Sequence, residues 1–283
     1  MRPILPQKKI NYKLLILYIL IFIICVLGIG ISMYMQYFQE EELGIAFGIT
    51  ESDEDDVYNE LKNNFNSLFT NNIDNLQNDT IQIQKIKEEF DVIATRHSFN
   101  EEKENYTLDV NIPIININND DIKTYNQQIE DTYKKKVDEI KTSTGYIYNV
   151  RYKCYIQDNI LSLVIYSELK EKNSNQQIMI ETFNYNFVEN KEVSLEELLS
   201  LKNISISVAN SKIKEEIKEV QEKNDSLIEL GYNMYKRDIS SDIYEVQNVE
   251  QFFIGEDGNI YVVFAYGNFE QTSEMDIVIF MNK

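Results

Sequence analysis

The order of apolar and polar positions divides the chain into one long apolar run followed by shorter periodic segments. From Leu14 to Tyr34 the sequence LLILYILIFIICVLGIGISMY has no charged residue, and about 20 apolar residues let a helix cross a hydrocarbon layer about 30 Å thick. One transmembrane helix is predicted, over residues 14–35. Val57, Leu61, Phe65, Leu68 and Phe69 then fall at helical spacing behind the acidic run Glu51 to Asp56, and carboxylates are favoured at a helix N-terminus. Val92 to Phe99 and Tyr106 to Ile117 read as strands around the turn Asn100 to Asn105, with Leu108, Val110, Ile112 and Ile114 on one face of the second. Next, Ile122, Tyr125, Ile129, Tyr133, Val137 and Ile140 are spaced by three and four. That stripe predicts a helix over Asp121 to Lys141 burying one side on a sheet.

Beyond it strands dominate. Tyr148, Val150, Tyr152, Cys154 and Ile156 alternate with Asn149, Arg151, Lys153 and Tyr155, and Asp158-Asn159 turns the chain into Ile160 to Leu169, a hairpin. Gln177 to Val188 is a further strand. Ser194 and Glu197 fit a capping box for a short helix to Leu199, and Val208, Ile213, Ile217 and Val220 mark a longer one over Val208 to Glu222. Val249 to Ile254 and Asn259 to Tyr266 flank the turn Glu256-Asp257-Gly258, and Met275 to Phe280 closes the pattern. The expected class is α+β: antiparallel sheets with helices packed on one face, preceded by one N-terminal transmembrane helix.

Charge orients the span. Arg2, Lys8, Lys9 and Lys13 precede it and Glu40, Glu41 and Glu42 follow it, so residues 1–13 are expected as a cytoplasmic tail and the remainder outside a cell membrane crossed once. The lipid bilayer is then a partner through the N-terminal helix. A cleaved secretory signal is the alternative, but the run is longer than a signal core and ends in Ser32, Met33 and Tyr34, bulky for a cleavage site. Cys25 lies mid-run after Ile23 and Ile24, which does not suit a lipid-attachment site. The chain's formal charge is -20, and the four basic and no acidic residues before Glu40 leave -24 on residues 40–283. Such a field repels nucleic acid and attracts cations or basic proteins. With 43% hydrophobic and 12% aromatic residues the chain is too apolar for a disordered acidic tail. Cys154 is the only cysteine beyond the span, so no intrachain disulfide staples the outer part.

Candidate chemistry is sparse. His97 is the only histidine, which removes histidine-based triads and multi-histidine metal sites within the chain, and its place beside Arg96 near a charged turn suggests a surface role. Cys154 sits on the apolar phase of its strand and reads as core. No glycine-rich phosphate loop occurs. The acidic run at Glu51 lacks the glycine of an EF-hand loop, so a calcium site there is the weaker reading. No cofactor or metal is expected. One segment stands out, the stretch from Tyr266 to Asp276 between two strands, where Tyr266, Phe269, Glu270, Glu274 and Asp276 bring aromatic and acidic groups together. It is read either as a polar connection or as a binding surface for a basic or hydroxylated ligand.

The segments YTLDVNIPIININNDDIKTYNQQIEDTY, YKCYIQDNILSLVIYSEL, TFNYNFVENKEVSLEELL and VEQFFIGEDGNIYVVFAYGNF resemble, in that order, the DUF4163-like and DUF3298-like extracytoplasmic domains of bacterial envelope proteins, among them lysozyme-responsive anti-sigma factors and some peptidoglycan deacetylases of Gram-positive bacteria. The marks are Asn111 to Pro113 with Asn126, Thr182 to Phe187 leading into Leu195 to Leu199, and the Phe252 to Tyr266 hairpin. The resemblance implies a tether and acidic amphipathic helix over 36–75, a DUF4163-like domain over 76–145 and a DUF3298-like domain over 146–283. Where the family carries a Gly-Gly-Ala-His-like turn this chain has Lys172 to Gln177, and neither the sigma-binding segment nor the deacetylase domain of those relatives is recognised in these residues, so neither activity is expected to carry over. The expected function is a non-catalytic binding or sensing module for a cell-envelope component, a cationic protein or a cell-wall ligand. A structural subunit of an envelope assembly, with a membrane protein partner, and a wall-modifying enzyme using carboxylates such as Glu270 and Glu274 are the alternatives.

Overall fold

The computed structural model describes residues 53–69, 85–87, 89 and 91–282. The apolar run 14–34, its basic flank and the tether lie outside these residues; among the described helices none is long and apolar enough to cross a membrane. Residues from Tyr58 onward form one compact unit.

Helix α1 (Asp53–Asn64) continues into a 3-10 turn, Phe65–Phe69. Strands β1 (Ile93–Glu102) and β2 (Tyr106–Ile115) follow, then α2 (Asp120–Ile129), a π turn (Glu130–Lys134) and α3 (Lys135–Lys141). Strands β3 (Tyr146–Gln157), β4 (Ile160–Glu171), β5 (Gln177–Asn186) and β6 (Lys191–Glu192) complete a sheet of order β1-β2-β3-β4-β5-β6. Helices α4 (Leu195–Leu201) and α5 (Ile206–Glu229) lead to a second sheet, β7 (Phe252–Ile254), β8 (Ile260–Ala265) and β9 (Met275–Phe280).

Two features differ from the sequence expectation. The larger sheet is mixed: β2 and β3 run parallel, Leu108 opposite Tyr148 and Val110 opposite Val150, because the helical segment between them carries the chain back before β3 starts. This pairing joins residues on either side of the 145/146 boundary into one sheet. Second, beyond the expected covering of one face of each sheet by helices, the two sheets meet through their other faces, with Phe65 and Phe69 of the turn after α1 packed into the layer between them. Tyr148, Val150, Leu163, Ile165 and Phe183 pack under α2 and α3. The opposite phase, Val164, Tyr166, Ile178 and Ile180, meets Phe253, Tyr261, Val263, Ile277 and Ile279 of the smaller sheet. That sheet's remaining face, Ile254, Val262, Phe264 and Val278, is covered by Leu198, Ala209, Ile213 and Ile217 of α4 and α5. The result is helix, sheet, sheet, helix, with alternate residues of each central strand feeding different layers.

Local chemistry explains several boundaries. Asp158 and Asn159 both have positive φ (50° and 66°), the two-residue turn favoured between antiparallel strands. Asn119 caps α2, and Ser194 with Glu197 forms the expected capping box on α4. Strand β1 runs on to Glu102 because Glu101 is held by Tyr106 Oη (2.9 Å) and Lys141 Nζ (2.5 Å), so the turn shrinks to Lys103–Asn105. Asn126 places α2 on β2: its side-chain amide donates to the Ile115 carbonyl and accepts from the Ile115 N–H, both at 2.8 Å.

The π turn has its own origin. Tyr125, Ile129, Tyr133 and Val137 are four residues apart, and in a regular helix each such step drifts about 40° around the axis. A wider turn takes up the drift and keeps Ile129, Tyr133 and Val137 buried on one face.

Helix α1 is fastened at Tyr58. Its hydroxyl accepts from the Ile279 N–H (3.2 Å) and donates to Glu216, which also pairs with Lys62 and Lys212. Removing that hydroxyl in Tyr58→Phe leaves the Ile279 N–H without its acceptor. Chemical denaturation is expected to show a loss of about 1–3 kcal/mol.

Candidate functional site

The stretch Tyr266 to Asp276 is brought together as expected but turned largely inward. Tyr266 to Asn268 form a 3-10 turn and Asp276 already belongs to β9. Tyr266 and Asp276 are buried, Glu274 is half-buried, and only Phe269 (57% exposed) and Glu270 stand out in solvent. The reading of all five residues as one surface is therefore corrected: the apolar phase of β8 and β9 carries Tyr266 and Asp276 into the core beneath α5.

They meet Arg237, which lies on the segment after α5. Its guanidinium is 2% exposed and the Asp276 carboxylate 5%; Nε donates to Asp276 Oδ2 (2.5 Å), Nη2 to Asp276 Oδ1 (2.9 Å) and to Glu274 Oε2 (3.2 Å). Tyr266 Oη donates to Asp276 Oδ2 (2.5 Å), and the Tyr244 and Tyr266 hydroxyls are 2.9 Å apart. Tyr235 stacks on Tyr266 with ring centroids 4.1 Å apart, and its N–H donates to Glu274 Oε1 (2.5 Å). Burial alone disfavours the Arg237 cation, but the hydrogen bonds and charge of Asp276 outweigh it and hold its pKa above the ordinary range. Burial, reinforced by the charge of Asp276, pushes the Tyr266 phenol far up, so it stays a donor. The cluster locks the chain after α5 to β9. It also explains why α5 extends to Glu229 rather than Glu222: the buried residues of its last turns are Gln221, which accepts from the Arg237 N–H (2.7 Å), and Asn224, which donates to Glu274 (3.4 Å). His97 bonds to Glu130 (3.0 Å) beside Arg96 on the outer strand, and Cys154 is buried.

The outward side of the same turn builds a concave site. Asn268 reaches β5, its amide donating to the Ile180 carbonyl (2.9 Å) and accepting from the Ile180 N–H (3.0 Å). Gln177 Nε2 donates to the Gly267 carbonyl, and Gly267 approaches so closely that a Cβ there would lie 1.8 Å from the Ile178 carbonyl oxygen. Between this contact and the π turn is a cavity of about 490 Å³, with Tyr133 and Lys136 on the helix side, Tyr148, Leu169, Met179 and Glu181 on the sheet, and Gln177, Gln251 and Asn268 at the rim. The volume falls in the range of small-ligand sites. Tyr133 Oη donates to Glu181 Oε2 (3.0 Å). Burial raises the Glu181 pKa from its ordinary value, and the Tyr133 and Tyr125 hydroxyls oppose the shift. The Tyr125 hydroxyl is also buried near Glu181. Sequence reading placed Tyr133 and Tyr148 on buried faces without assigning them to a site, and did not single out Arg237 or Glu181. The fourfold spacing around Tyr133 and a charged residue, Glu181, on the buried phase of β5 were the available signals for the cavity.

No protein-family model matches the chain, and no curated protein matches it. Solved structures similar to the chain include two of DUF3298 family proteins. One is of a DUF3298 family protein from Pseudomonas aeruginosa PAO1, 8% identical with TM-score 0.35, the match covering 61% of this chain and 78% of that one. The other is of a DUF3298 family member from Bacteroides fragilis NCTC 9343, 12% identical with TM-score 0.27, covering 61% and 80%.

Three substitutions test this geometry. Asp276→Ala strands the buried Arg237 charge and is expected to lower stability by about 3–5 kcal/mol in urea unfolding, while the paired change Arg237→Met with Asp276→Leu recovers much of it. Gly267→Ala forces a methyl group into the Ile178 backbone and is expected at or above the usual 1–3 kcal/mol for overpacking. For Glu181 the folded carboxyl keeps its proton to higher pH than the unfolded one. Its contribution is thus present below the unfolded pKa and is lost as pH rises through the folded one. Glu181→Gln, which cannot ionise, is expected to gain melting temperature over the parent protein at pH 7 and to lose that advantage near pH 4.

Proposed function

We propose that this chain is a non-catalytic binding module, anchored by residues 14–35 in the cell membrane and displaying its acidic domain on the outer side, where it engages a cell-envelope component. The observation that carries the reading is the cavity between the π turn and β5. It is walled by residues whose positions the fold fixes, and it holds a single carboxyl, Glu181. A glycoside hydrolase of the common type uses two carboxyl groups about 5–9.5 Å apart, and Glu274 is already committed to Arg237. The basic flank before the apolar run, and the resemblance to DUF4163-like and DUF3298-like domains over 76–145 and 146–283, support the placement. The surface charge of the outer part favours cationic proteins as additional partners.

A second reading, a subunit of an envelope assembly, has one observation in its favour. Leu227, Ile228, Leu230 and Tyr232 at the end of α5 expose apolar side chains, and such clusters suit partner contacts. In-cell crosslinking that recovers a stoichiometric membrane partner through these residues would favour it.

The binding reading is tested with the full-length chain in nanodiscs, by thermal shift against neutral oligosaccharides, short peptides and small cationic proteins. At least one class is expected to raise the melting temperature in a saturable way, and the rise is expected to shrink in variants of the cavity wall. A complete absence of shifts at millimolar ligand would remove the proposal.

A further inference from the structure

The cavity's chemistry narrows the ligand. We propose that it binds an uncharged, hydroxyl-bearing ring, a single saccharide unit of a longer chain, an inference that rests on the binding-module reading above. Charge is the first argument. On residues carrying a net -24, the lining has one carboxyl, Glu181, and one amine, Lys136, which also pairs with Glu139 (3.6 Å), so the site does not select by net charge while the surrounding surface does.

Hydrogen-bonding capacity is the second. Lys136 Nζ is a donor. The Tyr148 hydroxyl makes no hydrogen bond among the described residues, and Gln251 is tied to Thr182 through Oε1 alone (2.8 Å), which leaves its Nε2 donor over. Glu181 and the Gln177 amide oxygen offer acceptors on the other side. A ligand made only of acceptors or only of donors satisfies half of this set. Hydroxyl groups both donate and accept, so a polyhydroxylated ring can satisfy all of it. The third argument is the floor: Leu169 and Met179 form an apolar patch beside these polar groups, suited to the C–H face of a pyranose. The cavity is open to the surface rather than closed, which lets neighbouring units of a polymer run out on either side.

The binding mode is direct and non-covalent. Because Asn268, Gln251 and Gln177 are held by hydrogen bonds to β5 and to the turn after β8, the rim is set before the ligand arrives, and little ordering cost is expected on binding.

The test is calorimetric and NMR titration of the full-length chain in nanodiscs with two probes, a β-1,4-linked tetramer of N-acetylglucosamine and a hexalysine peptide. The tetramer is expected to bind saturably, with saturation transfer concentrated on one sugar unit. Tyr148→Phe and Lys136→Gln, checked by melting to be folded, are expected to weaken it about three- to tenfold each, whereas the exposed Val188→Ala leaves it unchanged. Affinity that is insensitive to ionic strength is expected for the tetramer and not for the peptide. If hexalysine binds through the cavity and the tetramer does not, the saccharide assignment is overturned while the binding-module reading survives. If neither binds at millimolar concentration, or if the tetramer binds equally to Tyr148→Phe and Lys136→Gln, this assignment fails, while the broader reading falls only if the wider thermal-shift series is also silent.

Discussion

The free edge of β5 is the constraint around which the two sheets are organised. A strand buried between layers cannot leave its N–H groups unpaired, since each orphan costs about 1–3 kcal/mol. Beyond β4, strand β5 has only the two residues of β6 as a strand partner. Its remaining outward N–H groups are taken by the other sheet's connections: Ile178 donates to the Thr272 carbonyl (3.1 Å), Ile180 to the Asn268 side chain and Thr182 to the Gln251 side chain. Farther along, Thr182 Oγ1 accepts from the Phe252 N–H (3.0 Å), Asn184 donates to the Phe252 carbonyl (2.7 Å), and Ser162 accepts from the Ile254 N–H (3.1 Å). Side-chain amides and hydroxyls thus stand in for a strand. They fix the angle and depth at which the smaller sheet sits on the larger one, and they close an edge that would otherwise invite another chain.

The turn after β8 is held from both sides by this arrangement. Outward, Asn268 and the close approach of Gly267 bind it to β5; inward, Tyr266 is bound to Asp276 and through it to Arg237. Taking the Arg237–Asp276 pair out of water costs several kcal/mol per ion before their attraction is counted, so the pair adds little net stability over an apolar substitute. What it supplies is position. The guanidinium has five directed donors, and here they engage Asp276, Glu274 and the Tyr235 carbonyl (3.0 Å) together, leaving one arrangement for the segment that returns from α5.

Legibility in the sequence follows from whether the buried face is apolar. The β3–β4 hairpin, the Ser194 capping box, β8 and β9 were readable because Tyr148 to Cys154, Ile260 to Phe264 and Ile277 to Phe280 alternate or run apolar. The parallel pairing of β2 with β3 and the meeting of the two sheets were not, since neither registers in a local period. The end of α5 was missed because Gln221 and Asn224 face inward, and a polar residue on a buried face breaks the only pattern that marks a helix at sequence level. Arg237 is 39 residues from Asp276 and no spacing rule links them. The five residues singled out between β8 and β9 were grouped correctly in space. Their inward orientation depended on that distant cation.

The same logic accounts for the cavity. Tyr133 occupies the helix face by virtue of the π turn, and Glu181 lies on a phase of β5 otherwise given to Phe183 and Tyr185. A carboxyl there interrupts the core, and its desolvation is only partly offset by the Tyr133 and Tyr125 hydroxyls. An apolar residue at 181 would pack more favourably against α2 and α3. Retaining a partly buried acid at the mouth of a preformed recess, with the rim fixed by the bonds that close β5, sacrifices stability where a ligand has access. Among the residues that line the recess, Glu181 is the one carboxyl, and the stability it gives up is the cost of keeping an acid where a ligand enters.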